Sequence, residues 1–188
     1  MKQRMILLLA MMATALVVGS GAALASATIH CPNSAGGRCV GTTSADAMYG
    51  SDFVDVMFAG GGPDTMHGYG SGDTLQGDKG PDYVYGDAGP DKLWGGAYVE
   101  SAGTYPDTGN DYVHGGGGTD TIYGGYAQGG VDRLYGEGGE DTIEVSQRKV
   151  SISPITKEIV DCGAGSQDEV YFDKDLDYVK NCEIKHPY

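Results

Sequence analysis

Hydrophobic side chains recur along the middle of the chain at intervals of nine residues, each two places after an aspartate. When the aspartate is placed sixth in a nonapeptide, position eight always carries an aliphatic residue or a methionine. The residues at position eight are Met48, Met57, Met66, Leu75, Val84, Leu93, Val113, Ile122, Leu134 and Ile143. Positions seven and nine flank this residue with the alternation of a short strand. Each nonapeptide therefore predicts one glycine-rich turn followed by one three-residue strand, with position eight in the core.

The nonapeptides extend from residue 41 to residue 144 with two interruptions. Six repeats run without a gap from Gly41 to Trp94, and the insertions Gly95 to Tyr105 and Gly124 to Tyr126 precede the seventh and ninth repeats. A fixed short period indicates a solenoid, in which insertions form surface loops. Two repeats make one coil of about 18 residues, so each strand pairs with the equivalent strand one coil away. The prediction is an all-β fold, a parallel β-roll with two short-stranded sheets.

The turns carry the candidate chemistry. The aspartates at position six are Asp46, Asp55, Asp64, Asp73, Asp82, Asp91, Asp111, Asp120, Asp132 and Asp141, and stacked coils bring them close together. Position four is glycine at Gly62, Gly80, Gly89, Gly109, Gly118, Gly130 and Gly139, where we expect positive φ and carbonyl groups turned toward a common centre. Carboxylate and carbonyl oxygens are the ligands of calcium. No soft or imidazole ligand recurs, which disfavours zinc, copper and iron.

These repeats resemble the hemolysin-type, or RTX, calcium-binding nonapeptide G-G-x-G-x-D-x-U-x. The best matches are Gly61 to Met66, Lys79 to Val84, Ala88 to Leu93, Gly117 to Ile122 and Gly138 to Ile143. The resemblance implies a right-handed parallel β-roll that holds Ca²⁺ between turns one coil apart. It stacks Asp46, Asp64, Asp82, Asp111 and Asp132 along one edge, and Asp55, Asp73, Asp91, Asp120 and Asp141 along the other.

The resemblance also assigns metal ligands. They are the aspartates from Asp64 to Asp141 named above, with Gly62, Gly80, Gly89, Gly118 and Gly139 in their turns. Position four is Ser44, Phe53 or Ser71 in three of the first four repeats. We therefore expect weaker calcium sites at Asp46 and Asp55.

The two ends of the chain indicate export. Residues 1–27 have basic residues, an apolar run from Met5 to Val18 and small residues before the expected cleavage near residue 25 or 27. This arrangement is typical of a signal peptide, and the run is shorter than the ~20 residues of a membrane anchor. Cleavage removes 2 of the 12 basic residues, which leaves 10 against 26 acidic residues and a net charge of −16. Nucleic acid is thereby excluded as a partner, and we expect no membrane insertion after cleavage.

Four cysteines flank the repeats, and in an exported chain they favour disulfides. Three pairings are possible; we favour Cys31 with Cys39 and Cys162 with Cys182, because a long solenoid holds its two ends apart. The spacing does not fit a structural zinc site. The prediction divides the mature chain into an N-terminal cap at 28–40, the roll at 41–144 and degenerate repeats with a cap at 145–188.

The C-terminal part is interpreted from its length. Asp141 and Asp168 are 27 residues apart, three times nine, which places Val150 and Ile159 at aspartate positions and predicts no ion there. Asp168 and Val170 return to register in a weakened repeat. The acidic run 173–177 resembles the first half of an EF-hand loop, but it lacks the glycine and glutamate of that loop, so we interpret it as a solvated turn.

Position nine carries an outward row of aromatic residues, namely Tyr49, Phe58, Tyr85, Trp94, Tyr123 and Tyr135. We interpret this row as a structural ladder of cross-strand contacts. The alternative is a strip that stacks on the sugar rings of a cell-surface polymer. The first insertion, with Tyr98 and Tyr105, is the better candidate for a specific contact with a partner. The four histidines form no cluster in the sequence, and no catalytic motif is present. We therefore expect a secreted, calcium-binding protein that is not an enzyme and whose folding requires calcium. The alternative is a calcium-dependent scaffold for adhesion to cell-surface polysaccharide or protein.

Overall fold

The computed structural model describes residues 26–32, 37–97, 107–125, 130–145 and 156–188. These residues are all-β and form strands β1 Thr28–His30, β2 Gly37–Val40, β3 Ala47–Ser51, β4 Asp55–Gly61, β5 Thr65–Tyr69, β6 Thr74–Lys79, β7 Tyr83–Ala88, β8 Lys92–Trp94, β9 Tyr112–Gly118, β10 Thr121–Tyr123, β11 Arg133–Gly139, β12 Thr142–Glu144, β13 Ile159–Asp161, β14 Glu169–Phe172, β15 Tyr178–Lys180 and β16 Ile184–Pro187. Residues 1–25 of the predicted signal peptide 1–27, and Tyr98 and Tyr105 in the first insertion, lie outside the described residues.

The strands alternate between two sheets of eight strands each. The odd-numbered strands form sheet one and the even-numbered strands form sheet two, both in sequence order and with parallel pairing throughout. In sheet one Met48 pairs with Met66, and in sheet two Met57 pairs with Leu75, so strands one coil apart are in register. This is a β-solenoid, and the prediction of a parallel β-roll with two sheets is confirmed.

The core is one column of side chains from each sheet. Every residue at position eight in the ten repeats is fully buried, and Val160 and Val170 continue the two columns beyond the repeats. Burial of each aliphatic side chain contributes about 1.5–3 kcal/mol, which is the main apolar stabilisation open to so thin a fold. The core therefore extends along the solenoid axis rather than around a centre.

Most strands of sheet one are longer than the three residues that the pattern predicts. Strands β9 and β11 continue past position nine into the following glycines, where Glu137 pairs with Gly116 and Gly138 with Gly117. The alternation of inward and outward side chains ends at position nine, but main-chain pairing continues because its hydrogen bonds do not depend on the side chains. Sequence periodicity therefore underestimates how far the coils are joined.

The turns have a left-handed backbone at two positions rather than at one. At position four, φ is 135° for Gly89 and 151° for Gly118, as predicted. Position two also has positive φ, even where it is not glycine, with 71° for Asp87 and 72° for Glu137.

The prediction of positive φ is wrong at one position-four glycine, Gly109, whose φ lies outside the left-handed region. For Gly130 it stays a prediction, because the preceding residue lies outside the described residues. The N–H of Gly109 donates to Asp107. The turn is therefore closed there by a side chain rather than by the backbone conformation of the other repeats.

Both ends of the roll continue the same two-sheet geometry. Strands β1 and β2 pair with β3 and β4, and β15 and β16 pair with β13 and β14. Disulfides join Cys31 to Cys39 and Cys162 to Cys182, with Cα–Cα distances of 5.6 and 5.1 Å. The predicted local pairing is therefore confirmed. In the part of the chain that the structure describes, no helix is long and apolar enough to cross a bilayer.

Candidate metal centre

Two rows of stacked acidic residues run along the edges of the roll. In each row, the main-chain N–H of one acid donates to a carboxylate oxygen of the acid one coil nearer the C-terminus. The first ladder contains Asp46, Asp64, Asp82, Asp111, Asp132, Glu158 and Asp177. The second ladder contains Asp55, Asp73, Asp91, Asp120, Asp141, Asp168 and Glu183. The structure thus stacks each predicted aspartate on the edge expected for it.

The insertions do not break these ladders. The N–H of Asp82 donates to Oδ1 of Asp111 at 2.9 Å, and that of Asp91 donates to Oδ1 of Asp120 at 2.8 Å, across the first insertion. The next step, from Asp111 to Asp132, spans the second insertion at 2.9 Å. The acids on either side of each insertion keep the hydrogen bond of neighbouring coils, so their stacking along the edge is kept.

The second oxygen of most ladder aspartates is buried and unused. Oδ2 has no hydrogen-bond partner among the described residues in Asp64, Asp73, Asp82, Asp91, Asp111, Asp120, Asp141 and Asp168. These residues are at most 1% exposed. A buried carboxylate oxygen without a donor is strongly unfavourable unless a cation or water occupies its other side. The row of unpartnered oxygens therefore indicates a row of cation sites.

Glycines leave room around these oxygens. A methyl group on Gly86 or Gly115, at position one, would lie 2.5 Å from Oδ2 of the aspartate in the same repeat. At position four, a methyl group on Gly118 would overlap the carbonyl oxygen of Gly89 one coil earlier. Any side chain at either place would fill the space beside the carboxylates and carbonyls. These hard oxygen donors, kept open by glycine, fit calcium.

Side chains alone do not complete such a site. Among the described residues, no three His, Cys, Asp or Glu side chains converge closely enough to hold a metal ion. The carbonyl oxygens of the glycine turns are the other donors that the resemblance implies. The assignment of individual aspartates and glycines as ligands stays a prediction.

The first two aspartates differ from the rest. Oδ2 of Asp46 accepts the N–H of Thr42 and its hydroxyl, at 2.9 Å from the latter, and Oδ2 of Asp55 accepts the N–H and hydroxyl of Ser51 at 2.7 and 2.9 Å. Serine and threonine at position two thus satisfy the Oδ2 oxygen that has no partner in most later repeats, whereas Oδ1 of Asp55 is buried without a partner among the described residues. The partnered Oδ2 distinguishes Asp46 and Asp55, for which the sequence predicts weaker binding, from most later aspartates.

Burial and mutual repulsion make the ladder acids hard to ionise without a cation. Burial, followed by the charges of neighbouring acids, raises the pKa of Asp64 to about 6 and the pKa of Asp82 to about 9. The pKa of Asp111 is raised to about 10, chiefly by burial and then by Asp132. The most perturbed acids lie in the middle of the first ladder. The electrostatic demand for a cation is greatest there.

The interpretation of the C-terminal part is wrong in one respect. Ile159 pairs with Arg133 and Val160 with Leu134, so Ile159 is at position seven and not at the aspartate position. Glu158 occupies that position; it is 2% exposed, and its carboxylate accepts the N–H of Asp132. Counting by nines across a segment without repeats carries no register, which is why the count was one residue off. Val150 lies outside the described residues.

Further acids of the ladders are also absent from the prediction. Asp177 accepts the N–H of Glu158, and Glu183 accepts that of Asp168. The run 173–177 is therefore a turn that ends in a ladder acid and not an independent loop. The signal for Asp177 in the sequence is its place two residues before Val179, but this signal is too weak without the neighbouring coil.

The family comparison agrees with this geometry. The family model described as RTX calcium-binding nonapeptide repeat matches residues 40–71, 49–82, 67–97, 107–125 and 126–145. The chain belongs to this RTX repeat family. No curated protein and no solved structure matches the chain. RTX nonapeptide repeats bind Ca²⁺, which identifies calcium as the metal of this family.

The outer faces of the RTX roll carry stacked rings rather than isolated ones. In sheet one, His30, Tyr49, His67, Tyr85, His114 and Tyr135 form one continuous stack with centroid distances of 4.6–6.0 Å. Three histidines that form no cluster in the sequence are therefore aligned in one column, with a tyrosine between each two of them. The structural interpretation of position nine as a ladder of ring contacts fits this geometry.

Proposed function

We propose that this RTX protein is exported and that its folding is coupled to calcium, so that the roll is loose at low calcium and ordered outside the cell. The observation that supports this most directly is the unpartnered oxygen on successive buried aspartates along both edges. The chain must bury these carboxylates to form its thin core, because each one lies only two residues before a core side chain.

The acids repel one another in the folded chain. Asp82 has Asp64 on one side in its ladder and Asp111 on the other, each within one coil. When bound, calcium supplies the positive charge that makes this arrangement favourable. Only the stacked coils present two carboxylates and the intervening carbonyls together, so the free energy of binding becomes free energy of folding.

Export rests on the N-terminal segment and on the cysteines. All four cysteines are paired, which is typical of an extracellular protein. Residues 1–25 of the predicted signal peptide lie outside the described residues. Extracellular calcium modules bind at ~10⁻⁴ to 10⁻³ M, a range in which a roll stays unsaturated inside a cell and fills outside it.

Circular dichroism of the mature chain during a calcium titration after chelation tests the coupling. We expect a β-sheet spectrum to develop with calcium, with a steep dependence because several sites bind only the folded state. A magnesium titration at the same ionic strength is the control, since Mg²⁺ keeps its water and demands a tighter geometry. A spectrum that neither chelator nor added calcium changes would rule out the proposal.

Adhesion to a surface polysaccharide stays the alternative, but the ring geometry does not favour the aromatic row as its site. Trp94 stacks on Tyr123 with a centroid distance of 5.1 Å, and Tyr85 is covered by His67 and His114 on its two sides. Rings stacked in this way offer edges to solvent, whereas sugars stack on ring faces. Calcium-dependent retention on cell-wall glycan, lost on replacing Trp94 and Tyr85 while the fold is kept, would restore this alternative.

We also propose that the chain acts without catalysis. The coils of the two sheets and the two disulfide-linked ends account for most of the described residues, and the buried acids lie in the turns. Hydrolase activity in purified protein that persists after chelation would contradict this.

A further inference from the structure

One buried carboxylate near the first ladder does not belong to the repeat pattern. Asp107 lies two residues after Tyr105, where the first insertion ends, and four residues before Asp111, and it is 2% exposed. It is not at position six of any nonapeptide, and the family motif gives no role to an acid at its place. Its burial therefore needs a reason of its own.

The side chain of Asp107 is held across two coils. Its Oδ1 accepts the N–H of Gly80 at 3.0 Å and the N–H of Gly109 at 2.9 Å. These glycines occupy position four in consecutive turns of the edge that carries Asp82 and Asp111. Two hydrogen bonds to the same oxygen fix the carboxylate in orientation as well as in position, so the direction of its other oxygen is set.

The other oxygen, Oδ2, is buried and has no partner in the described part of the chain. A methyl group on Gly96 would lie 2.9 Å from this oxygen, and a methyl group on Gly95 would lie 2.9 Å from Oδ2 of Asp111. The carbonyl oxygen of Gly124 is also 2.9 Å from that position on Gly95. Two unpartnered carboxylate oxygens and one carbonyl oxygen thus face two adjacent glycines.

We propose that Asp107 is an additional calcium ligand, which gives the turn of Asp111 a second side-chain carboxylate and makes it the tightest calcium site of the roll. The inference rests on the proposed calcium coupling and adds to it a named site. Calcium affinity increases with the number of charged ligands and with the rigidity of the site, and Asp107 provides both. Asp107 follows the first insertion closely, so the interruption of the repeat pattern is followed by a residue that adds a ligand to the turn of Asp111.

The surroundings support this choice among the turns. The charge of Asp107 contributes to the raised pKa of Asp82, Asp111 and Asp132, after burial and nearer acids. The turn at Asp111 therefore has the charges of Asp132, Asp107 and Asp82 close to its own carboxylate, and a divalent cation bound there would neutralise part of this charge.

The test compares Asp107→Asn with wild type in chelator-competition titrations followed by native mass spectrometry. Asparagine keeps an Oδ1 that accepts from Gly80 and Gly109, and it replaces the charged Oδ2 by a neutral amide group that cannot bind calcium. We expect the first ion bound by wild type to be held at least about tenfold more tightly than the next, and Asp107→Asn to lose this difference while it keeps the later ions. Asp87→Asn, which removes one charge from a partly exposed turn, is the matched control and should leave the first ion unchanged.

An unchanged affinity for the first ion in Asp107→Asn would overturn the inference without affecting the proposed function, whereas absence of calcium binding by wild type would remove both. If Asp107→Asn does not fold at saturating calcium, the excitation spectrum of europium bound to the wild-type chain provides the test instead. Its excitation line shifts with the total charge of the ligands. A separate line for the first equivalent supports Asp107 as a ligand, and a single line for all sites contradicts it.

Discussion

Replacement of a ladder aspartate by asparagine should change stability in opposite directions with and without calcium. Asp91 is suited to the test because it lies in a well-matched repeat and is 1% exposed. Its Oδ1 accepts the N–H of Asp73 at 2.7 Å, and its Oδ2 has no partner among the described residues. Asparagine can keep the first interaction, so Asp91→Asn removes the charge that a cation would use and places an amide group at the position of Oδ2.

The calcium-free change follows from the pKa of Asp91, which burial and the neighbouring acids raise from its ordinary value of 3.8 to about 7. Folding the ionised side chain at pH 7 is therefore unfavourable by at most about 4 kcal/mol. The buried amide N–H group of asparagine has no acceptor, which costs about 1–3 kcal/mol and offsets part of the gain from removing the charge. We expect Asp91→Asn to stabilise the calcium-free fold by about 1–2 kcal/mol.

With calcium the sign reverses. An ion that binds only the folded chain contributes about 2.7 kcal/mol at a concentration 100 times its Kd, and Asp91→Asn removes that contribution from its site. Set against the gain of about 1–2 kcal/mol in the calcium-free fold, the net loss is about 1 kcal/mol, which lowers Tm by about 2–4 °C for a chain of this size. The calcium-loaded variant should therefore melt below wild type.

Two experiments followed by circular dichroism test this prediction. Thermal melts in calcium measure the calcium-loaded change, and osmolyte-induced folding in EDTA measures the calcium-free change. Trimethylamine N-oxide favours the compact state without supplying a cation. Asp87→Asn is the control: it removes one charge from the same repeat, and its side chain hydrogen-bonds His67 and Tyr69 on the partly exposed turn. A change of the same sign in both conditions, or an equal effect of Asp87→Asn, would refute the reasoning.

Three more outcomes follow from the fold. Ile122→Ala should lose about 2–5 kcal/mol in urea denaturation with calcium present, because this fully buried side chain fills its core column, and a loss below about 1 kcal/mol would contradict that packing. The calcium-free chain in EDTA should gain β structure as pH falls from about 8 to about 4, because the pKa of Asp82 is raised to about 9 and the folded state binds more protons than the unfolded state; a flat pH profile would oppose this. Replacing Cys162 and Cys182 by serine should destabilise the calcium-loaded roll by about 2–5 kcal/mol, read as a lower urea midpoint, and an unchanged midpoint would show that the C-terminal coil is held by other contacts.

Periodicity predicted the parts of the fold that are local to one repeat. Ile122 and Leu134 are in the core because position eight faces inward in every coil, and the stacking of Asp91 on Asp120 follows once two repeats make a coil. The pairing survives an insertion between those residues. Hydrogen bonds between coils, rather than distance along the chain, decide which residues become neighbours.

What the sequence did not reveal lies where the repeat stops. Glu158 and Asp107 both follow segments of irregular length. Because such a segment can rejoin the coil at any residue, counting from the last repeat does not predict which acid lies in the ladder or beside it. The stack of His67 on Tyr85 is hidden for another reason. Its members are one coil apart, and only alignment on the coil, rather than on the nonapeptide, brings them into one column.

The two ladders have a direction. The N–H of Asp46 donates to Asp64 and its carbonyl accepts from Thr65, so both main-chain groups of this acid are satisfied by the coil on the C-terminal side. The same holds at the far end, where Glu158 relies on Asp177 and Tyr178. Each acid of a ladder thus depends on the following coil for these main-chain hydrogen bonds. A chain shortened before Asp177 would leave the N–H and the carbonyl of Glu158 without these partners, so the defect would lie at the C-terminal end of the first ladder.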